Sequence, residues 1–373
     1  MDAPAEALVD LGVVRDNVTG LRKHVGSAEL MAVVKSDAYG HGMVEVARAA
    51  LAGGAGWLGV IRVDEALTLR RAGLTVPVLC LLSVPGGPHE DAIRHDVDLA
   101  ASSAGMVREI AAAAERAGRP GRVHLKVDTG MSRAGATMVD WPGVVAAALA
   151  AEAAGHVRIV AIWSHLACAD MPGHPSIEAQ LTTFREAVAL AGEAGARPEI
   201  RHLANTPATL TLPQTRFDLV RCGGGVVGLP TLPGPMPGWL RPAMTVRARL
   251  VQVKQVPPGA GVSYGHRYVT SSPSTLGLVP LGYAEGVPRD ASGLVQIYAR
   301  GRRWFIAGTV SMNQFVLDFG AEPAAEGDEV LLFGPGDQGE PTAQDWADAL
   351  STISYEIATR FGGRLPRSYS GVA

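Results

Sequence analysis

Eight short apolar runs punctuate the first two-thirds of the chain: MAVVK (31–35), WLGV (57–60), PVLCLL (77–82), VDLA (97–100), VHLKV (123–127), VRIVAIW (157–163), IRHLA (200–204) and FDLVR (217–221). Their apolar positions are continuous rather than alternating, the pattern of strands covered on both faces. Between most of them lie Ala-, Leu- and Glu-rich stretches of helical character, such as HGMVEVARAALAGG, RVDEALTLRRAG and PSIEAQLTTFREAVALAGEAG. A strand followed by a helix, repeated, predicts a parallel sheet wrapped in helices. Eight such units within about 210 residues fit a (β/α)8 barrel, a TIM-like α/β fold. A doubly wound open sheet has the same alternation, and strand counting does not separate the two.

Polar residues at the strand ends favour the barrel. Lys35, His165, Asn205 and Arg221 each fall at or just beyond the C-terminal end of one run, and Lys126 lies near the end of a fifth. In a barrel those ends share one face, where active sites collect.

After about residue 236 the pattern changes. PTLPGPMPGWLRP is rich in Pro and Gly and reads as a linker. Beyond it, TVRARLVQVKQV, TLGLVPLGYAEG, LVQIYARGRRWFIAG and TVSMNQFVLDFG have strand composition with frequent turns, which predicts a mostly antiparallel β domain. One helical stretch, AQDWADALSTISYEIATRF, interrupts it. The expected division is a barrel over 10–236 and a β domain over 237–373, joined by residues 1–9.

Composition narrows the function. Apolar residues make up 47% of the chain and charged residues 18%, enough for a large core and no signature of disorder. The net charge of −3 gives no basic footprint for nucleic acid. No apolar run is long enough to span a membrane. The start, MDAPAEALVD, lacks the basic and apolar regions of a secretory signal. Cys80, Cys168 and Cys222 are too few and scattered for a disulfide framework or a metal site, so a reduced, cytoplasmic protein is expected.

A lysine directly after a buried strand loses hydration at the barrel mouth, which lowers its pKa. A partly neutral amine can attack an aldehyde to form a Schiff base. A lone lysine more often snorkels out of the strand end, but SDAYGHG follows Lys35 with a tyrosine and two glycines, consistent with close backbone approach to a ligand.

AVVKSDAYGHG resembles the segment that carries pyridoxal 5′-phosphate (PLP) in the alanine racemase family. The resemblance continues through HLKVDTGMSRAG (124–135), WSHLACAD (163–170), HLANTPA (202–208), FDLVRCG (217–223), VSYGHRY (262–268), LGYAEGVPR (281–289), VSMNQ (310–314) and ISYEI…RLPR (353–367). These motifs run in family order over nearly the whole chain. The resemblance implies a PLP-dependent isomerase built from a barrel and a β domain.

Residue by residue, the resemblance makes Lys35 the cofactor-bearing lysine and the base on one face of the substrate Cα, with Tyr264 the base on the other. A racemase needs two acid/base groups on opposite sides of a planar carbanion. Tyrosine is a weak base unless a neighbour lowers its pKa, and the family supplies a histidine bonded to an arginine; His165 and Arg221 match these. Arg221 also matches the partner of the pyridine nitrogen. Since an arginine does not give up its proton, that nitrogen stays unprotonated and side reactions are limited. Tyr39, Asn205, Thr206, Gly223, Gly224 and Tyr355 match the cofactor-binding set. Arg133 matches the substrate-carboxylate arginine, Lys126 a lysine carbamylated in many members, and Tyr283, Met312 and Asn313 the substrate entrance. The family pattern also implies a two-fold homodimer in which Tyr264 and Met312 reach the partner's site.

Three positions depart from that pattern. Asn313 stands where the family has an aspartate, Glu285 where it has an aspartate, and Val227 where an aromatic is common. Loss of the carboxylate at 313 leads to the expectation that the pocket widens or shifts beyond alanine, toward serine or another small or polar amino acid. A racemase of another amino acid is thus the near alternative. A PLP-dependent decarboxylase and a non-catalytic PLP-binding protein are further readings, and Tyr264 with its β domain argues against both.

Overall fold

Each of the eight apolar runs becomes a strand in the computed structural model, which describes residues 4–371. A strand that belongs elsewhere, β1 (Ala5–Asp10), precedes them. The barrel strands are β2 (Glu29–Val33), β3 (Trp57–Val60), β4 (Val78–Cys80), β5 (Val97–Ala101), β6 (Gly121–Lys126), β7 (Val157–Trp163), β8 (Ile200–His202) and β9 (Leu219–Cys222). Neighbours in sequence pair in parallel from β2 to β8, and β9 returns to pair with β2, Glu29 opposite Leu219 and Ala32 opposite Cys222. Between β8 and β9 the ladder gives way to single bonds. Asp218 N–H donates to the Arg201 carbonyl at 3.1 Å, and Arg221 N–H to that of Ala204 at 3.0 Å. The sheet is therefore a nearly closed barrel, not a doubly wound sheet.

Alternation along the strands splits the core in two. Leu30, Ala32, Leu58, Val78 and Leu99 face the helices, while Met31, Val33, Trp57, Leu79, Ala161 and Leu219 form a separate cluster inside the barrel. The first helix, α1 (Leu11–His24), shows why the layers hold. Asp10 caps it by accepting from Val13 N–H at 3.0 Å, and Leu11, Val14, Val18 and Leu21 bury one face at helical spacing. Each such side chain is worth about 2 kcal/mol against exposure. A charge at Val18 would break that face.

The other layer is a nine-stranded sheet, antiparallel except at one edge. There β1 lies between Met244–Arg249, its antiparallel partner, and Arg367–Ser370, its parallel partner. Residues 5–10 thus fold with residues 367–370; residues 1–3 and 372–373 of the expected second unit lie outside the described residues. The single expected helix near the C-terminus is two, Ala343–Ala349 and Ser354–Arg360. Ser351 turns left-handed (φ 55°) and Thr352 and Ile353 are β-branched, which breaks the helix and frees the second half to aim Tyr355 at the barrel mouth. Phe333, Trp346 and Phe361 meet edge to face beneath it. Among the described residues no helix is long and apolar enough to cross a membrane.

Candidate active site

A cleft of 1280 Å³ opens at the C-terminal ends of the barrel strands. Lys35, Tyr39, Lys126, Arg133, His165 and Asn205 line it, as do Thr206, Arg221, Gly223, Gly224 and Tyr355. The Pro/Gly stretch expected to be a linker does more than connect: Pro230 to Gly238 fold over the cleft as part of its wall.

Lys35 leaves the barrel through an unusual turn. β2 ends at Val33, two residues before the lysine, and Ser36, Asp37, Ala38 and Tyr39 all take left-handed φ between 52° and 56°. Such a conformation costs non-glycine residues about 1–2 kcal/mol each. Three anchors hold it. Ser36 N–H donates to Glu65 Oε1 (2.8 Å), Met43 N–H to Asp37 Oδ1 (2.7 Å), and Arg367 pairs with Asp37 Oδ2 at 2.6 Å. The left-handed turn brings Tyr39 back to the cleft one turn after the lysine. Burial, then the charge of Arg133, lowers the pKa of the Lys35 amine; Glu65 opposes and Arg221 adds to the shift.

Arg221 is the hub of the cleft floor. Its Nη1 donates to His202 Nδ1 (3.0 Å) and the His202 carbonyl (3.1 Å). Its Nη2 donates to the Ser164 and Leu203 carbonyls (2.8 and 3.1 Å) and to His165 Nδ1 (3.1 Å). The four Nη hydrogens are therefore occupied, and among the described residues no protein group accepts from Nε. Burial pulls the guanidinium down to about 9, still cationic at neutral pH.

Because arginine only donates, it fixes the proton positions around it. His165 and His202 must accept at Nδ1 and carry their protons on Nε2. Burial and then the Arg221 charge hold both imidazoles well below the usual histidine pKa, in keeping with neutral rings. His202 Nε2 then donates to His124 Nδ1 (3.0 Å), and His124 Nε2 to Asp98 Oδ2 (3.0 Å). Arg122 Nε donates to Asp98 Oδ1 at 2.7 Å. Burial pushes the Asp98 carboxyl up, but His124 and Arg122 outweigh it and hold it below the usual aspartate value. A chain of one-way hydrogen bonds thus runs from the buried cation through two imidazoles to a buried anion.

Lys126 lies over the Trp163 ring at 4.3 Å from its centroid. Burial, then Arg221 and Arg133, bring its pKa down to about 8. Arg133 is carried on a loop that Asp128 organises: its Oδ1 accepts from the N–H groups of Gly130, Met131 and Ser132 at 2.9, 3.0 and 3.2 Å. Opposite these cations, Gly223 N–H donates to Thr206 Oγ1 (3.2 Å), and Asn205 caps the turn that carries Thr206. A Cβ at Gly223 would overlap the Tyr39 hydroxyl, and one at Gly224 the Tyr355 hydroxyl. Only glycine lets the two phenols, 5.5 Å apart edge to face, close over this backbone. Burial raises both phenols, so they are neutral donors.

Tyr264, Tyr283, Met312 and Asn313 are absent from the cleft. They sit on a rim of the β domain, where Tyr264 is 71% exposed, Met312 56% and Tyr283 45%. Asn313 Nδ2 donates to Glu285 Oε1 at 2.7 Å. Val227 is buried in the core.

Asp98, His124 and His202 have no place in the sequence-level site. Their signal was a polar residue inside an apolar barrel strand, at VDLA, VHLKV and IRHLA.

The alanine racemase N-terminal domain family model matches residues 9–231, and the alanine racemase C-terminal domain model residues 243–369. Alanine racemase from Salinispora arenicola is 55% identical, with 98% of each chain covered. Among solved structures, alanine racemase from D-cycloserine-producing Streptomyces lavendulae superposes with a TM-score of 0.96 at 50% identity, covering 100% of this chain and 98% of the other. Alanine racemase from Bacillus anthracis with bound L-Ala-P superposes with a TM-score of 0.91 at 32% identity, covering 100% and 97%. With both family models matched in order and the barrel cleft built from the same motifs, the chain belongs to the alanine racemase family.

Proposed function

We propose that the protein interconverts L- and D-alanine by a two-base reaction with PLP carried on Lys35, completed by Tyr264 of a partner subunit. The observation that carries this reading is a desolvated lysine in a cleft that its own chain's Tyr264 does not line, while that tyrosine stands exposed on the rim.

The cleft residues fit the cofactor. Two glycines that no Cβ could replace put backbone N–H groups beside the neutral phenols of Tyr39 and Tyr355, a cradle suited to a phosphate; Asn205 and Thr206 shape its edge. The Nε–H of Arg221, which no described protein group accepts, would be the donor for a pyridine nitrogen. When bound, PLP supplies an electron sink that acidifies the Cα–H of an attached amino acid.

The chain's own groups do the rest. The Lys35 amine takes or returns a proton on one face of Cα, and the Tyr264 phenol of the partner subunit does so on the other. His165 keeps its proton on Nε2 because Nδ1 accepts from Arg221, so it can donate to that phenol and ease its ionisation. Arg133 pairs with the substrate carboxylate. Lys126, partly neutral near pH 8, can attack CO2, lose a proton and become a carbamate anion beside Arg133. In this division of labour 10–236, joined by Tyr355, holds the cofactor, and 237–373 with 1–9 completes the partner's site. The partner is a second copy related by two-fold symmetry. A cytoplasmic home rests on three free cysteines.

The test is a chiral assay of the PLP-loaded enzyme on L-alanine, L-serine and larger amino acids in deuterated water. Alanine should yield its D form with deuterium at Cα, and borohydride should fix the cofactor on the Lys35 peptide. Absence of Cα exchange would defeat the racemase reading; a label elsewhere would defeat the role of Lys35.

A further inference from the structure

The rim that carries Tyr264, Tyr283 and Met312 is stitched together from three loops. Ser263 Oγ donates to the Thr309 carbonyl at 2.6 Å, and Thr309 Oγ1 to that of Tyr264 at 2.9 Å. Two residues on, Tyr283 N–H donates to the Ser311 carbonyl (3.1 Å) and Ala284 N–H to that of Met312 (2.9 Å). The approach is so close that a Cβ at Gly282 would overlap the Ser311 and Met312 carbonyls. One carboxylate closes the arrangement. Glu285 Oε2 accepts from Gly282 N–H at 3.0 Å within its own loop, and Oε1 accepts from Asn313 Nδ2 at 2.7 Å across to the other.

A carboxylate at 313 would face the Glu285 carboxylate with no proton between them, whereas the amide offers a donor. We propose that Glu285 and Asn313 form a latch that fixes Tyr283 and Met312 relative to each other, and that this latch sets substrate KM. They are positioning residues: neither lines the cleft of its own chain. The latch is a separate reading of Asn313 from the expectation that it widens the substrate pocket, which the amino-acid panel above tests. Its effect on KM rests on the reading above, in which the rim of one subunit faces the cleft of its partner.

The charge logic supplies the test. Asn313→Asp sets two carboxylates against each other and should raise KM for L-alanine about ten-fold, the scale of one charge-assisted hydrogen bond, with kcat within about two-fold. Adding Glu285→Gln should restore KM, since a glutamine can still accept from Gly282 N–H while donating to the new carboxylate. Hydrogen exchange of the 282–284 amides in the holoenzyme reads the latch without reference to catalysis. Protection should fall in the single variant and return in the double one, with the melting temperature of the domain unmoved.

Unchanged exchange in Asn313→Asp, or a double variant that fails to recover protection, overturns the latch. Lost protection with an unchanged KM shows that the latch opens without consequence. That outcome overturns its role in setting KM. The racemase assay on L-alanine stands apart from both results.

Discussion

Lys35, Lys126, His165 and Arg221 occupy a cleft where polar atoms are held from several sides, whereas Tyr264, Tyr283 and Met312 stand on the rim with much of their surface in solvent. In the barrel, strain is over-determined: four left-handed residues after Lys35 are anchored by Glu65, Asp37 and Arg367. On the rim, Ser263 sits at φ 61° and ψ −168°, a region suited to glycine, held by one side-chain bond to Thr309. On the proposed reading, the groups that hold the cofactor are those built into the barrel mouth. On the same reading, the base offered to another subunit is carried on a surface shaped in advance.

That contrast breaks most sharply if the two halves belong to one chain after all. Lys35→Ala and Tyr264→Ala should each lose at least about a thousand-fold in kcat, since each removes the proton-transfer group of one face. Mixed after unfolding and refolding, the two inactive variants should recover about a quarter of wild-type activity. Half the dimers are then mixed, and each mixed dimer holds one intact site of two. No recovery, with mixed dimers shown by differential tagging, would place Lys35 and Tyr264 of the same chain in one site.

The relay beneath Arg221 is the next place to strain the comparison. Asp98→Asn removes the anion at its end and should cost about 3 kcal/mol, as expected when a buried pair loses one partner. Urea unfolding monitored by fluorescence would measure it. The folded pKa of Asp98 lies below its unfolded value, so its contribution is fully present above the ordinary aspartate pKa and is lost as pH falls through the folded one. The wild type should show that acid limb and the variant should lack it. Equal acid limbs would remove Asp98 from the relay.

At the phosphate cradle the effect is smaller and local. Gly224→Ala drives a methyl into the Tyr355 hydroxyl and should weaken PLP binding about thirty-fold, near 2 kcal/mol, with the apo-protein's melting temperature little changed. Adding Tyr355→Phe, which removes the clashing oxygen, should recover part of the loss. Retention of full affinity by the single variant would mean that the cradle is looser than its geometry.

Much of this architecture was legible because it repeats. Eight doubly covered strands declare themselves by continuous apolar runs, and Lys35, Lys126, His165, Asn205 and Arg221 fall at or near their ends. The motifs placed eleven residues that the fold then brings to one cleft. The left-handed turn after Lys35 was illegible: nothing in Ser-Asp-Ala-Tyr requires positive φ, which tertiary anchors impose. The relay was half legible, since a histidine inside VHLKV is out of place, but its partners lie on other strands. The linker reading saw the Pro and Gly of 230–242 but not that the segment walls the cleft. The Asn313 departure pointed to substrate choice; only the packed loops show it bonded to Glu285.

The smallest effect bears most directly on how the rim works. Ser263→Gly relieves a strained conformation worth about 1 kcal/mol and loses a hydrogen bond of about the same worth, so stability should stay level. Ser263→Ala loses the bond and keeps the strain, and should cost about 1 kcal/mol in chemical denaturation. Yet both variants loosen the backbone that presents Tyr264 and should lower kcat about three-fold, with KM unmoved, because a base out of line weakens only the proton-transfer step. If instead kcat follows stability, falling in Ser263→Ala and holding in Ser263→Gly, the serine acts by keeping the loop folded. Presentation of the tyrosine would then depend on the partner surface that receives it rather than on the strained turn that carries it.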